Sequence, residues 1–95
     1  MNKVIRTLQQ ADTVAFLHQS WIDHFSVVWS YATNTQSNDS DVDVIYESNK
    51  NIWWELFDIT QYLEKKLGKK IDIIERRYLR SSIAKSVLEH KIDII

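Results

Sequence analysis

Ser30-Tyr31-Ala32-Thr33-Asn34, six further polar residues, then Asp41-Val42-Asp43-Val44-Ile45-Tyr46-Glu47 is the stretch that decides the fold of this 95-residue chain. In an extended strand alternate side chains share a face, so Asp41 and Asp43 point the same way roughly 7 Å apart. Carboxylates placed like that repel each other unless a cation sits between them. Ligands that are all oxygen favour a hard ion, and Mg²⁺ held by one or two carboxylates plus substrate phosphates is the usual arrangement. The pattern points to metal-dependent phosphoryl or nucleotidyl transfer. Surface strands also carry Asp-x-Asp by chance, so the pair has to be read with its surroundings.

Outward from the stretch, hydrophobic spacing supplies the other elements. Val4, Leu8, Val14, Leu17 and Trp21 fall at helical intervals, predicting two helices, or one broken near Ala11-Asp12, with Asp12 as the second N-cap. Phe25 to Trp29 reads as a first strand, and Ser30 to Thr33 as one helical turn. The run Asn34-Thr35-Gln36-Ser37-Asn38-Asp39-Ser40 is a loop of turn-forming residues, and Asp41 to Glu47 is the second strand. Ile52, Leu56, Ile59, Leu63 and Leu67 recur as a long amphipathic helix that ends at Gly68. Lys70 to Glu75 reads as a third strand and Tyr78 to His90 as a last helix with Leu79, Ile83 and Val87 inward. Ile92 to Ile95 reads as a short final strand. The expected fold is α/β (α+β): one domain over residues 1–95, a short mixed sheet of three or four strands with helices packed on it. A long helix between the second and third strands permits a right-handed crossover.

Ser30, the ten-residue gap, Asp41 and Asp43 resemble the core of the minimal nucleotidyltransferases (MNT type) of the DNA polymerase β-like superfamily. That family's pattern is Gly-Ser, ten residues, Asp-x-Asp, then a third aspartate on a later strand. Asp72, in Gly68-Lys69-Lys70-Ile71-Asp72-Ile73-Ile74, falls where the third carboxylate is expected. If the third strand lies beside the second, Asp72 can join the face of Asp41 and Asp43. The resemblance covers roughly residues 14 to 95. It implies Asp41, Asp43 and Asp72 as catalytic residues and as ligands of Mg²⁺ or Mn²⁺, with Ser30, Thr33 and Asn34 at the nucleotide. It further implies transfer of AMP from ATP onto a protein hydroxyl, a tyrosine of a HEPN-type helical toxin encoded nearby, with this chain as antitoxin. Trp29 stands where the family has the glycine of Gly-Ser, Asn34 where it usually has a second glycine, and Thr33 replaces a basic residue. Glycine lets backbone N–H groups approach phosphate closely, and Asn tolerates the left-handed region better than most residues. These departures keep a second reading open, a degenerate transferase fold that acts only as a protein-binding module.

Composition bounds the alternatives. Apolar residues at 44% and aromatics at 12% mark a globular chain. Without Cys there is no disulfide, thiolate metal site or catalytic thiol. No apolar run approaches the roughly 18 residues of a membrane span, and no basic-then-apolar leader opens the chain, so a cytoplasmic protein with no membrane partner is expected. Charge is uneven: residues 1–64 hold 3 Lys/Arg against 9 Asp/Glu, and residues 65–95 hold 9 against 4. Lys65, Lys66, Lys69, Lys70, Arg76, Arg77 and Arg80 flank the third strand, either as a solvated helix end or as a rim for nucleotide phosphates or an acidic partner. No dedicated nucleic-acid surface is apparent. His18, His24 and His90 lack helical-spacing partners and read as ordinary surface histidines. Of Trp53 and Trp54, one is expected to pack inward and the other to lie outside, where an exposed aromatic would suggest a partner surface.

Overall fold

The structure is a computed structural model that describes residues 3–37 and 39–95. Asn38, read above as part of the polar loop, lies outside the described residues. Among the described residues these α-helices and strands follow one another: α1 (Lys3–Leu8), α2 (Ala11–Gln19), β1 (His24–Val28), α3 (Trp29–Thr33), β2 (Val42–Glu47), α4 (Trp54–Leu67), β3 (Ile71–Glu75), α5 (Ser81–Glu89) and β4 (Ile92–Asp93). A 3₁₀ turn at Arg76–Tyr78 separates β3 from α5. The strands form one mixed sheet in the order β3-β2-β1-β4, in which β1 is antiparallel to β2 and β4, and β2 is parallel to β3. The parallel pair is closed by α4, the crossover expected from the long amphipathic run.

Strand alternation splits the core into two layers. Phe25 and Val27 of β1, Val42, Val44 and Tyr46 of β2, and Ile71 of β3 face one side and pack with Leu8, Leu17, Tyr31, Ile59 and Leu63. The opposite face carries a smaller cluster, Val28, Ile45 and Val87, with Leu79 against it. One face is therefore covered by α1, α2 and α4, and the other only by α5 and the segment leading into it. On the thinly covered face Val28 and Ile45 are buried, while Asp43 is half-buried and Asp72 exposed.

Several local expectations are corrected. Asp12 lies in the first turn of α2 but does not cap it; Gln10 is the N-cap, without a side-chain hydrogen bond. The Asp12 carboxylate instead meets Lys66 Nζ at 2.7 Å, which lowers its pKa. Trp29 opens α3 rather than ending β1. The last helix begins at Ser81 instead of Tyr78, and Ile83 is 43% exposed. The inward line of α5 is Ala84, Val87 and Leu88, one step round from the expected stripe. Trp53 and Trp54 do not divide between core and surface: they are 82% and 85% exposed.

Candidate active site

The carboxylates gather at the end of the sheet where β2 and β3 begin. Register pairs Asp43 directly with Asp72 across the parallel strands, and pairs Asp43 with Val28 on the antiparallel side. Neighbouring strands lie about 4.8 Å apart, so the two carboxylates share one face as near neighbours. Asp41 sits just ahead of β2 and is exposed. Burial, then the charges of Asp72 and Asp41, and finally a hydrogen bond with Asp72, push the Asp43 carboxyl from 3.8 up to about 6. Half-burial alone raises a carboxyl, and two like charges beside it raise it further. The described residues contain no group of three or more acidic or imidazole side chains already drawn together as an ion cage. What they hold is a close pair with a third carboxylate on its flank.

Neighbouring segments hold this end in place. The Val42 N–H donates to the Lys70 carbonyl at 2.9 Å, which locks the starts of β2 and β3 together. The Ile71 N–H donates to Glu64 Oε2 at 2.9 Å, so the last turn of α4 grips β3 one residue before Asp72. Glu64 was not singled out from the sequence; a lone acid on a helix carries no signal until the crossover folds it back onto the strand. The Tyr31 hydroxyl donates to the Ser40 carbonyl at 3.4 Å and fastens the loop just before Asp41.

The segment expected to take phosphate keeps the backbone of a glycine turn without its glycines. Trp29 has φ 56° and Asn34 φ 60°, both left-handed. An L-residue there costs about 1–2 kcal/mol, less for Asn, whose short polar side chain suits the conformation. The Trp29 indole is 38% exposed at the turn between β1 and α3, so it does not turn fully into the core. Ser30 is half-buried in α3. The Thr33 hydroxyl donates to the Trp29 carbonyl at 3.1 Å and contacts Thr35 Oγ1 at 3.0 Å, while Asn34 Oδ1 accepts from Gln36 at 3.4 Å. Topology brings Ser30 to the acidic end of the sheet, two residues after the Val28 that pairs with Asp43. Thr33 and Asn34 sit further along, and Asn34 lines a cavity of about 830 Å³ with Tyr31, Gln36, Lys66 and Lys69. None of the three aspartates lines that cavity. The acidic pair, not that cavity, is where transfer chemistry can be housed. Of the basic cluster, Lys66 is engaged with Asp12 and Thr13, and Arg77 with Glu75.

Residues 9–94 match the nucleotidyltransferase domain family. The chain belongs to that family. This nucleotidyltransferase-domain chain is 33% identical over 63 residues to a Methanocaldococcus jannaschii protein named as a protein adenylyltransferase; the match spans 63% of each chain. It is 28% identical over 90 residues to the protein adenylyltransferase MntA of Thermococcus cleftensis, covering 86% of this chain and 90% of the relative. Among solved structures, a minimal nucleotidyltransferase superposes with a TM-score of 0.80 at 22% identity, covering 95% of this chain and 92% of that one. An MNT antitoxin in complex with a tri-AMPylated HEPN toxin of Shewanella oneidensis superposes at 0.65 and 13% identity, covering 95% and 71%. The mixed four-stranded sheet with its helices is the minimal nucleotidyltransferase fold. Among the described residues no helix is long and apolar enough to cross a membrane.

Proposed function

We propose that this chain is a metal-dependent protein adenylyltransferase that moves AMP from ATP onto a tyrosine hydroxyl of a HEPN-type partner, as the antitoxin of a two-gene module. The observation that carries the reading is Asp43 facing Asp72 with its carboxyl pushed up to about 6. Such a site holds more negative charge than it can stabilise alone, and an all-oxygen donor set of this kind suits Mg²⁺ or Mn²⁺. Asp43 and Asp72 would hold the ion, with Asp41 joining from the flank. When bound, a divalent cation would neutralise triphosphate charge at this end of the sheet.

The chain's own residues would then work by position and charge. Ser30, at the start of α3, would donate its hydroxyl to a phosphate oxygen. The acceptor hydroxyl would attack the α-phosphorus, forming the new O–P bond as the bond to pyrophosphate breaks. Its proton would pass to the carboxylate of Asp72, the more exposed of the facing pair. Alignment of acceptor and leaving group supplies most of the acceleration in such transfers. The names of the relatives support adenylyl transfer to protein, and the AMPylated HEPN complex supports the partner class.

One observation favours the second reading, a binding module without transfer. Trp29 puts an indole at the turn where the family has glycine, and leaves it partly exposed. Incubating the protein with labelled ATP, Mg²⁺ and the neighbouring HEPN-type protein separates the two. Label on the neighbour that disappears with Asp43→Asn supports transfer. A stable complex carrying no label supports the binding module.

A further inference from the structure

Trp53, Trp54 and Phe57 are 82%, 85% and 61% exposed, at the end of the sheet away from the acidic pair. Trp53 already has helical backbone angles as the N-cap of α4, so it stands four residues before Phe57, and Trp54 three before it. Residues at those spacings are surface neighbours on a helix, so the rings form one continuous patch. Each buried aromatic contributes about 150–250 Å², so the three supply over half of the roughly 800 Å² that one side of a standard protein interface buries. Trp21, 50% exposed with Lys50 Nζ 3.6 Å from its ring centroid, adds a fourth aromatic at this end. Patches of this size on small soluble domains mark interaction sites.

The surrounding charge selects the occupant. Glu55 and Asp58 lie on the same two turns of α4, and Asp23 and Glu47 sit where β1 begins and β2 ends. Lys50, stacked on Trp21, is a cation at this end, as are Arg76 and Arg77 after β3, where Arg77 is paired with Glu75. The charges nearest the rings on α4 itself, Glu55 and Asp58, are both acidic and repel anionic lipid and nucleic acid alike. In a symmetric pairing of two copies, these acids would meet their own copies, like charge against like.

We infer that the Trp53-Trp54-Phe57 patch is the docking surface for a protein partner that presents an apolar face ringed by Lys or Arg. This deepens the proposed function and rests on it: the docked partner is the acceptor, held at a surface remote from the reacting groups. α4 is 14 residues long and runs from the patch back to β3, which puts roughly 20 Å between docking and chemistry. Docking and transfer are then separable by mutation.

Calorimetric titration with the purified HEPN-type protein of the neighbouring gene tests this. Trp53→Ala/Trp54→Ala should raise the Kd about tenfold or more, as for hot-spot aromatics, with the circular dichroism spectrum unchanged. Asp58→Lys should also weaken binding, and 0.5 M NaCl should weaken the wild-type complex; Asp43→Asn should bind like wild type. Docking by the double variant as tight as wild type overturns the inference, as does failure of the wild type to bind that protein. It is also overturned if the patch drives dimerisation of the free chain, or adsorption to phosphatidylserine vesicles. Wild-type docking that depends on the patch but leaves no label on the partner would sink the transfer reading alone.

Discussion

Asp43 carries the first prediction because its neighbours load it with unfavourable charge. In the metal-free protein its carboxyl holds a proton up to about pH 6, against 3.8 ordinarily. A group whose pKa is raised on folding favours the folded state below its unfolded pKa, and that advantage is lost as pH rises through the folded value. Urea midpoints measured in EDTA should therefore fall between about pH 4 and pH 6. Asp43→Asn should flatten this slope, and millimolar Mg²⁺ should reverse it. Asp12 and Asp93, whose carboxyls are held down chiefly by Lys66 and Lys91, act oppositely and at lower pH, so the windows separate. Trp29 carries the second. Replacement by Gly relieves the left-handed strain of about 1–2 kcal/mol but loses half-buried apolar area and adds chain freedom, for a net change within about 1 kcal/mol. With the indole gone from the turn, calorimetry should show tighter binding of ATP with Mg²⁺; unchanged affinity would mean that Trp29 does not obstruct the site.

The elements explain which parts of the chain were legible beforehand. Alternation in Asp41-Val42-Asp43 and the helix ending at Gly68 foretold the β2–α4–β3 unit, because both depend on short-range periodicity and local caps. That unit brought Asp72 beside Asp43 as anticipated. Trp53 and Trp54 were misjudged because the run from Ile52 suggested a helix already turning there. Ile52 instead tucks in ahead of α4, which starts at Trp54. At 100° per residue the two indoles fall more than about 100° from the direction of Ile59, one on each side, so neither can reach the core. The Glu64 bond to β3 was invisible because it needs the tertiary crossover. Gly68 gives the prediction at this scale. Its φ is +66°, and a Cβ there would meet nothing within 4 Å. Gly68→Ala should thus destabilise by about 1–2 kcal/mol through backbone conformation alone, without a steric clash. Chemical denaturation measures that cost, and a loss several times larger would show that the α4–β3 junction is tighter than its open surroundings imply.

Across the whole molecule, the fold places the facing Asp43 and Asp72 at one end of the sheet and the exposed Trp53, Trp54 and Phe57 at the other. Chains near 95 residues bury a modest share of their surface, so a ligand that binds only the folded state moves the unfolding equilibrium appreciably. At a hundredfold excess over its dissociation constant, such a ligand adds about 2.7 kcal/mol, which for a domain of this size raises the melting temperature by roughly 10–20 °C. Mn²⁺ or Mg²⁺ at millimolar concentration should produce an upward shift. Asp43→Asn or Asp72→Asn should remove most of it, since these two face each other in register. Asp41→Asn should leave part of it, because Asp41 stands exposed ahead of the strand and acts on the pair by charge. The same substitutions also relieve repulsion, so Asp43→Asn should melt above the wild type without metal and below it with metal. That crossing separates a metal site from acids that merely happen to lie together. Two parallel melting lines, with no metal effect on either protein, would leave the aspartates as a structural cluster and the molecule as a binding module.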